Sequence, residues 1–209
     1  MKHSFSVAVV ATSSLFAALA NAQEIGNKGD VVLSADRLMG ITGTHVAGEV
    51  GPLDYENDYT SISFGWRGSP EGSPYDVPRL SFDYLVTNHL SIGGSLGYFS
   101  ADPDEGNKSS AFLLAGRVGY LYAFGRVVGI WPRGGFTYHS VDVDNGYDEN
   151  GFGLNLECPF TFSPANHFAF TLGPTFDVDL FGERDPSPID EGDRKYRAFG
   201  VNAGLLGWF

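Results

Sequence analysis

His139 and Ser140 stand side by side in Tyr138-His139-Ser140, and a histidine beside a serine is the pair a hydrolase uses as base and nucleophile. On a strand, however, neighbouring side chains point to opposite faces, so these two meet only if a bulge intervenes. His89 and His167 lie beside expected short turns. The stretch 142–149 offers Asp142, Asp144, Asp148 and Glu149 as oxygen donors. A calcium loop of the EF-hand type needs a donor fifth and a glycine sixth, where this sequence has Gly146 and Tyr147. The residues therefore predict no catalytic group, no metal site and no cofactor. What remains is a set of charges, Arg79, Asp83, Arg117, Arg133, Glu157 and Asp177. Three guanidinium groups against three carboxylates is the chemistry of ion pairing.

The elements that carry these charges are strands. The chain has 28 glycines, 17 phenylalanines and 10 tyrosines, with lysine only at 2, 28, 108 and 195, a composition of β-structure rather than of helices. Period-two alternation runs through 78–87, 89–100, 110–123, 126–140, 151–163, 166–180 and 195–209. Leu80, Phe82 and Tyr84 oppose Arg79, Ser81 and Asp83. Phe112, Leu114 and Val118 oppose Ala111, Ala115 and Arg117, and Phe152, Leu154 and Leu156 oppose Gly153, Asn155 and Glu157. Short turns near 86–90, 122–126 and 163–166 alternate with longer polar stretches at 101–109, 141–150 and 181–195, as in an up-and-down meander whose two rims meet different surroundings.

Two readings of the faces compete. A soluble barrel would turn its apolar face inward and present a solvent face dense in Lys, Glu and Thr. The polar face here is mostly Gly, Ala and Ser with about one charge per strand, and those charges nearly balance. Such a face suits a narrow lumen in which ions are tolerated only as pairs. The opposite face, with Tyr98, Tyr120, Tyr122, Tyr138, Phe160, Phe162 and Phe168 near strand ends, suits a lipid band between aromatic girdles.

The two ends of the chain fit the same reading. Lys2, an apolar stretch from Phe5 to Leu19, and Ala20 and Ala22 before Gln23 make a signal peptide over 1–22, leaving one domain, 23–209. No later segment has the apolar length of a membrane helix, and Cys158 is the only cysteine, so the fold holds without disulfides. At the other end Phe199, Val201, Ala203, Leu205, Gly207 and Phe209 share one face of a last strand. In this the sequence resembles bacterial outer-membrane β-barrel proteins, whose final strand ends on an aromatic residue, and among them the small OmpA/OmpX-like barrels. The resemblance implies that Val201, Leu205 and Phe209 are read by the barrel assembly machinery, with the C-terminus in the periplasm and the protein in the outer membrane.

The fold expected is thus all-β, a transmembrane antiparallel up-and-down β-barrel after a cleaved signal peptide. Eight strands result if 31–42 is the first and 59–66 is a rim hairpin arm or an extension of the second; a ten-stranded barrel is the alternative. In 31–42, Asp36 and Arg37 are adjacent, so one leaves the lumen face unless a bulge intervenes. Eight strands leave room for side chains and little else, which predicts a closed lumen and a structural or surface-interaction role. A small solute or ion channel and a lipid-acting enzyme are the alternatives. The stretches 49–58, 102–108, 142–149 and 183–193 together carry more negative charge than the net −12 of the chain. One rim is therefore acidic, which excludes nucleic acid as a partner. The partners expected are outer-membrane lipid and lipopolysaccharide, with divalent cations shared at the acidic loops.

Overall fold

The computed structural model describes residues 25–50, 53–65, 73–101, 108–144, 147–186 and 192–209. The expected signal peptide lies outside the described residues, as do the centre of the 142–149 stretch and parts of the other polar stretches. Twelve strands form one antiparallel sheet: β1 (Val31–Val50), β2 (Leu53–Phe64), β3 (Arg79–Leu85), β4 (Leu90–Ala101), β5 (Ser109–Tyr120), β6 (Tyr122–Ala123), β7 (Val128–Ile130), β8 (Arg133–Val143), β9 (Tyr147–Glu157), β10 (Phe160–Ala165), β11 (Phe168–Pro186) and β12 (Gly192–Trp208). Several of these are pieces of one wall strand. β2 with β3, β5 with β6, β7 with β8, and β9 with β10 each make a single staggered wall element, and β12 pairs with both β11 and β1, which closes a barrel of eight strands. The seam is completed by Val31 and Phe209, each donating its N–H to the carbonyl of the other at 3.0 Å.

The breaks have local causes. Pro132 and Pro159 lack the N–H a ladder needs, and the wall strands are interrupted at 131–132 and 158–159. Trp131 and Cys158 keep pairing across these breaks by donating to the carbonyls of Pro159 and Pro174. At the lower rim, where the turns are short and the seam of the chain ends lies, His89 and His167 adopt φ of 75° and 60°, and Gly125 one of 129°. The upper rim differs from expectation. The acidic stretches are not simple loops, since β1 and β2 run to Val50 and from Leu53, and β11 and β12 to Pro186 and from Gly192. Paired neighbours continue the ladder there in spite of the charges, because the outward face of the extended ribbon, where the exposed acids stand, is wetted.

The segment around 31–64 resolves the strand count. From Val31 to Asp36, β1 pairs with β3; from Met39 to Val50 it pairs with β2. At that handover β1 bulges, as Ala35 opposes Leu205 but Met39 opposes Ala203, and Arg37 sits at φ 58°. The bulge turns both Asp36 and Arg37 into the lumen, with relative exposures of 3% and 4%. Between β2 and β3 the chain enters the barrel, and Ser73 to Pro78, including a 3-10 turn at Pro74–Asp76, are all buried.

Candidate functional site

The interior of the barrel is filled at three levels. At the lower rim Ile25, Val32, Leu85, Leu121, Trp131 and Trp208, with Ala169 and Leu206, form one apolar cluster. Ile25 reaches it because the N-terminal segment is folded across the mouth, with Gly26 and Asn27 donating backbone N–H to Asp30 Oδ2 at 3.1 and 2.9 Å, and His89 donating to the Gly26 carbonyl.

Above this lies the charged level. The six residues expected from sequence, Arg79, Asp83, Arg117, Arg133, Glu157 and Asp177, all converge there and are buried. The bulge adds Asp36 and Arg37, so that among the described residues four guanidinium groups meet four carboxylates. Arg117 donates from Nε and Nη2 to Asp83 at 3.1 and 2.5 Å and from Nη1 to Asp36 at 2.7 Å. Arg133 donates to Glu157 at 2.5 Å and stands 3.6 Å from Asp36. Arg37 grips Asp177 with two bonds of 2.7 and 3.1 Å, while Arg79 reaches the same carboxylate at 3.5 Å. Ser81 and Asn155 donate to Asp36 and Asp177. Every carboxylate thus faces at least one cation, the condition under which buried charge is tolerated at all. The bidentate arginines also link strands that are not neighbours in sequence, which fixes register.

The third level was not legible in the sequence. Tyr75, carried inward by the segment before β3, donates its hydroxyl to Asp179, whose other oxygen accepts from the Tyr196 N–H at 2.9 Å. His139 Nε2 lies 3.1 Å from the same Asp179, and the rings of Tyr75, His139 and Tyr196 pack edge to face. The Tyr75 carbonyl accepts from Arg37 at 2.9 Å, and Ser61 on β2 donates to Asp76. A strand from each side of the barrel therefore holds the inserted segment. Nearer the upper rim, Arg194 and the fully buried Glu149 pair at 3.1 Å. His139 and Ser140 point to opposite faces, His139 fully buried in the lumen and Ser140 half-buried.

The outer surface carries the opposite chemistry. The large side chains expected on that face are exposed: Leu80, Phe82 and Tyr84 on β3, Phe112, Leu114 and Val118 on β5, and Phe199, Val201 and Leu205 on β12. Ile62, Phe64 and Phe209 are 79%, 76% and 74% exposed. From Phe199 to Phe209 the outward face of β12 is free of charge. Ten residues span about 33 Å of strand, or about 25 Å along the axis at a tilt of about 40°, the height of a lipid-facing apolar band. An uninterrupted apolar belt of this kind is a surface for hydrocarbon, not for water.

No protein-family model and no curated protein matches the sequence. Solved structures do match. Neisserial surface protein A aligns with a TM-score of 0.50 and 11% identity, covering 87% of this chain and 100% of its own. The outer membrane protein OprG from Pseudomonas aeruginosa gives 0.50 and 10%, covering 87% and 97%. The outer membrane protein AlkL, solved in lipid bilayers, gives 0.51 and 13%, covering 88% and 92%. The likeness is one of fold: the chain is an antiparallel eight-stranded barrel of the bacterial outer-membrane kind.

Proposed function

We propose that this chain is an integral outer-membrane barrel that does not conduct, acting as a structural or surface-interaction element that holds an acidic, strand-built rim outside the cell. The observation that carries this reading is the filling of the lumen at three levels, apolar, ion-paired and aromatic, each contributed by different strands. A channel would need a continuous wet path, and here the guanidinium groups and carboxylates that such a path would use are bound to one another. The fold shared with a protein called a surface protein agrees with the outward-facing role. An enzymatic role is disfavoured on chemical grounds, because His139 is fully buried in the lumen and faces away from Ser140. The balance of charge is placed inside and the excess of acid outside, which points to partners at the rim.

The deciding measurement is conductance in planar bilayers. Purified, heat-modifiable protein is expected to insert and give no unitary steps above baseline. Stable, voltage-independent steps of the folded species would replace this reading with that of a small solute channel.

A further inference from the structure

The strand registers align the outward side chains into rungs. One rung runs through Gly134, Leu156, Phe176, Phe199, Gly43 and Thr60, from β8 to β2. The next rung towards the upper rim runs Val178, Arg197, His45 and Asp58. Phe176 and Phe199 stand up as a ridge, and Gly43 beside it on one flank and Gly134 beyond Leu156 on the other recess the wall. On one side a groove of about 790 Å³ descends past Gly43, Thr60, Ile41, Ile62 and Val201. On the other, a groove of about 490 Å³ descends past Gly134, Leu156, Cys158 and Pro174. Both are bounded by Phe199. From Phe199 to Ala203 the larger groove spans about 10 Å along the axis, roughly the upper half of the apolar band.

Directly above the ridge the outward face of β12 carries Arg197 and Lys195. Arg197 makes no ion pair among the described residues, and Lys195 has only a loose contact with exposed Asp193 at 3.8 Å. Of the acids beside them, Asp58 on β2 is held on His45 at 2.9 Å and Glu56 lies across from Ala47, while Asp193 with Glu183, and Glu49 with Asp54, stand one rung higher, further into the rim. In a chain of net charge −12 an anion is repelled from most of the upper rim. These two cations stand where the hydrocarbon ends and head groups begin.

We propose that this face binds a phosphorylated, multiply acylated lipid of the outer leaflet, seated astride the Phe176–Phe199 ridge. Acyl chains fill the two grooves, and the phosphate lies on Arg197 and Lys195. The inference rests on the membrane-embedded reading and adds to it a specific lipid. Charge complementarity selects this occupant over a second copy of the chain, whose symmetric approach would set Arg197 against its own mate. A neutral lipid would fill the grooves and leave both cations unused.

The test is native mass spectrometry of the folded barrel released from neutral detergent. The probes are a bis-phosphorylated hexa-acyl lipid, the same lipid after phosphatase treatment, and inorganic phosphate. One phosphorylated lipid is expected to remain bound, with at least tenfold less retention of the dephosphorylated form and none of inorganic phosphate. The double variant Arg197→Glu, Lys195→Glu should fall to the dephosphorylated level. Gly43→Leu should lower retention with both cations intact, since a Cβ there meets nothing nearer than the Phe199 carbonyl at 3.9 Å and the added side chain occupies the groove. Equal retention of the two lipids, indifference to the charge reversal, capture of free phosphate alone, or a lipid-free dimer would each overturn the proposal. Heat-modifiable insertion of the same samples into vesicles is scored separately. Failure there sinks the embedded reading, whereas insertion without lipid preference sinks only this one.

Discussion

At the scale of single residues the decisive contacts are those of Arg133 and Arg37. Arg133 is 4% exposed and bound to Glu157, so removing its charge leaves a carboxylate in a medium that cannot hydrate it. Arg133→Met is expected to destabilise the barrel by about 3 kcal/mol in urea unfolding from lipid vesicles, and adding Glu157→Gln should restore much of the loss. Additivity of the two changes would show that the pair is not coupled. The six expected lumen charges were legible because strand parity alone puts them on one face. Asp36 with Arg37 was legible only as a conflict, because a bulge is announced by glycine when glycine supplies the positive φ, and here arginine does. The compensation is tertiary: two bonds to Asp177 and one to the Tyr75 carbonyl hold Arg37 in place.

At the scale of elements the sequence read well wherever one face meets hydrocarbon and the other the lumen. It read poorly where that contrast ends. β2 has both faces exposed over 56–60, and the inserted turn at Pro74–Asp76 has no period to detect. Its meaning lies in contacts with β8, β11 and β12 far away in sequence. Tyr75→Ala should therefore cost about 3 kcal/mol through the lost packing of a fully buried aromatic ring and the Asp179 bond. The same variant should stay silent in planar bilayers, since the charged and apolar levels beneath are untouched. Measured conductance in Tyr75→Ala would instead make the inserted segment the sole barrier. Tight wall contacts make a second element-scale prediction. A Cβ on Gly135 would lie 1.8 Å from the Gly116 carbonyl, so Gly135→Val should spread β5 from β8 and abolish heat-modifiable folding, while Gly116→Val, with open space at its Cβ, should fold.

At the scale of the whole molecule, closure depends on the last residue meeting the first strand. The Phe209 backbone pairs with Val31, yet its ring is mostly outside the protein. The ring thus contributes little to packing, and we propose that with Val201 and Leu205 it serves recognition by the assembly machinery. Deleting Phe209 should lower the heat-modifiable outer-membrane fraction several-fold while export continues; an unchanged fraction would refute the assignment.

The wall of the barrel is also uneven in height. β1, β11 and β12 are 20, 19 and 17 residues long, against 12 for β4. Above the Gly43 rung, β1 continues to Val50, about 18 Å of further rise at the barrel's tilt. The molecule therefore has a windward side. An antibody or protease arriving from the medium meets the β1–β2 and β11–β12 ribbons, which stand above β4. Protease treatment of intact cells should accordingly nick these tall ribbons, so that the molecule offers the exterior an oriented landmark.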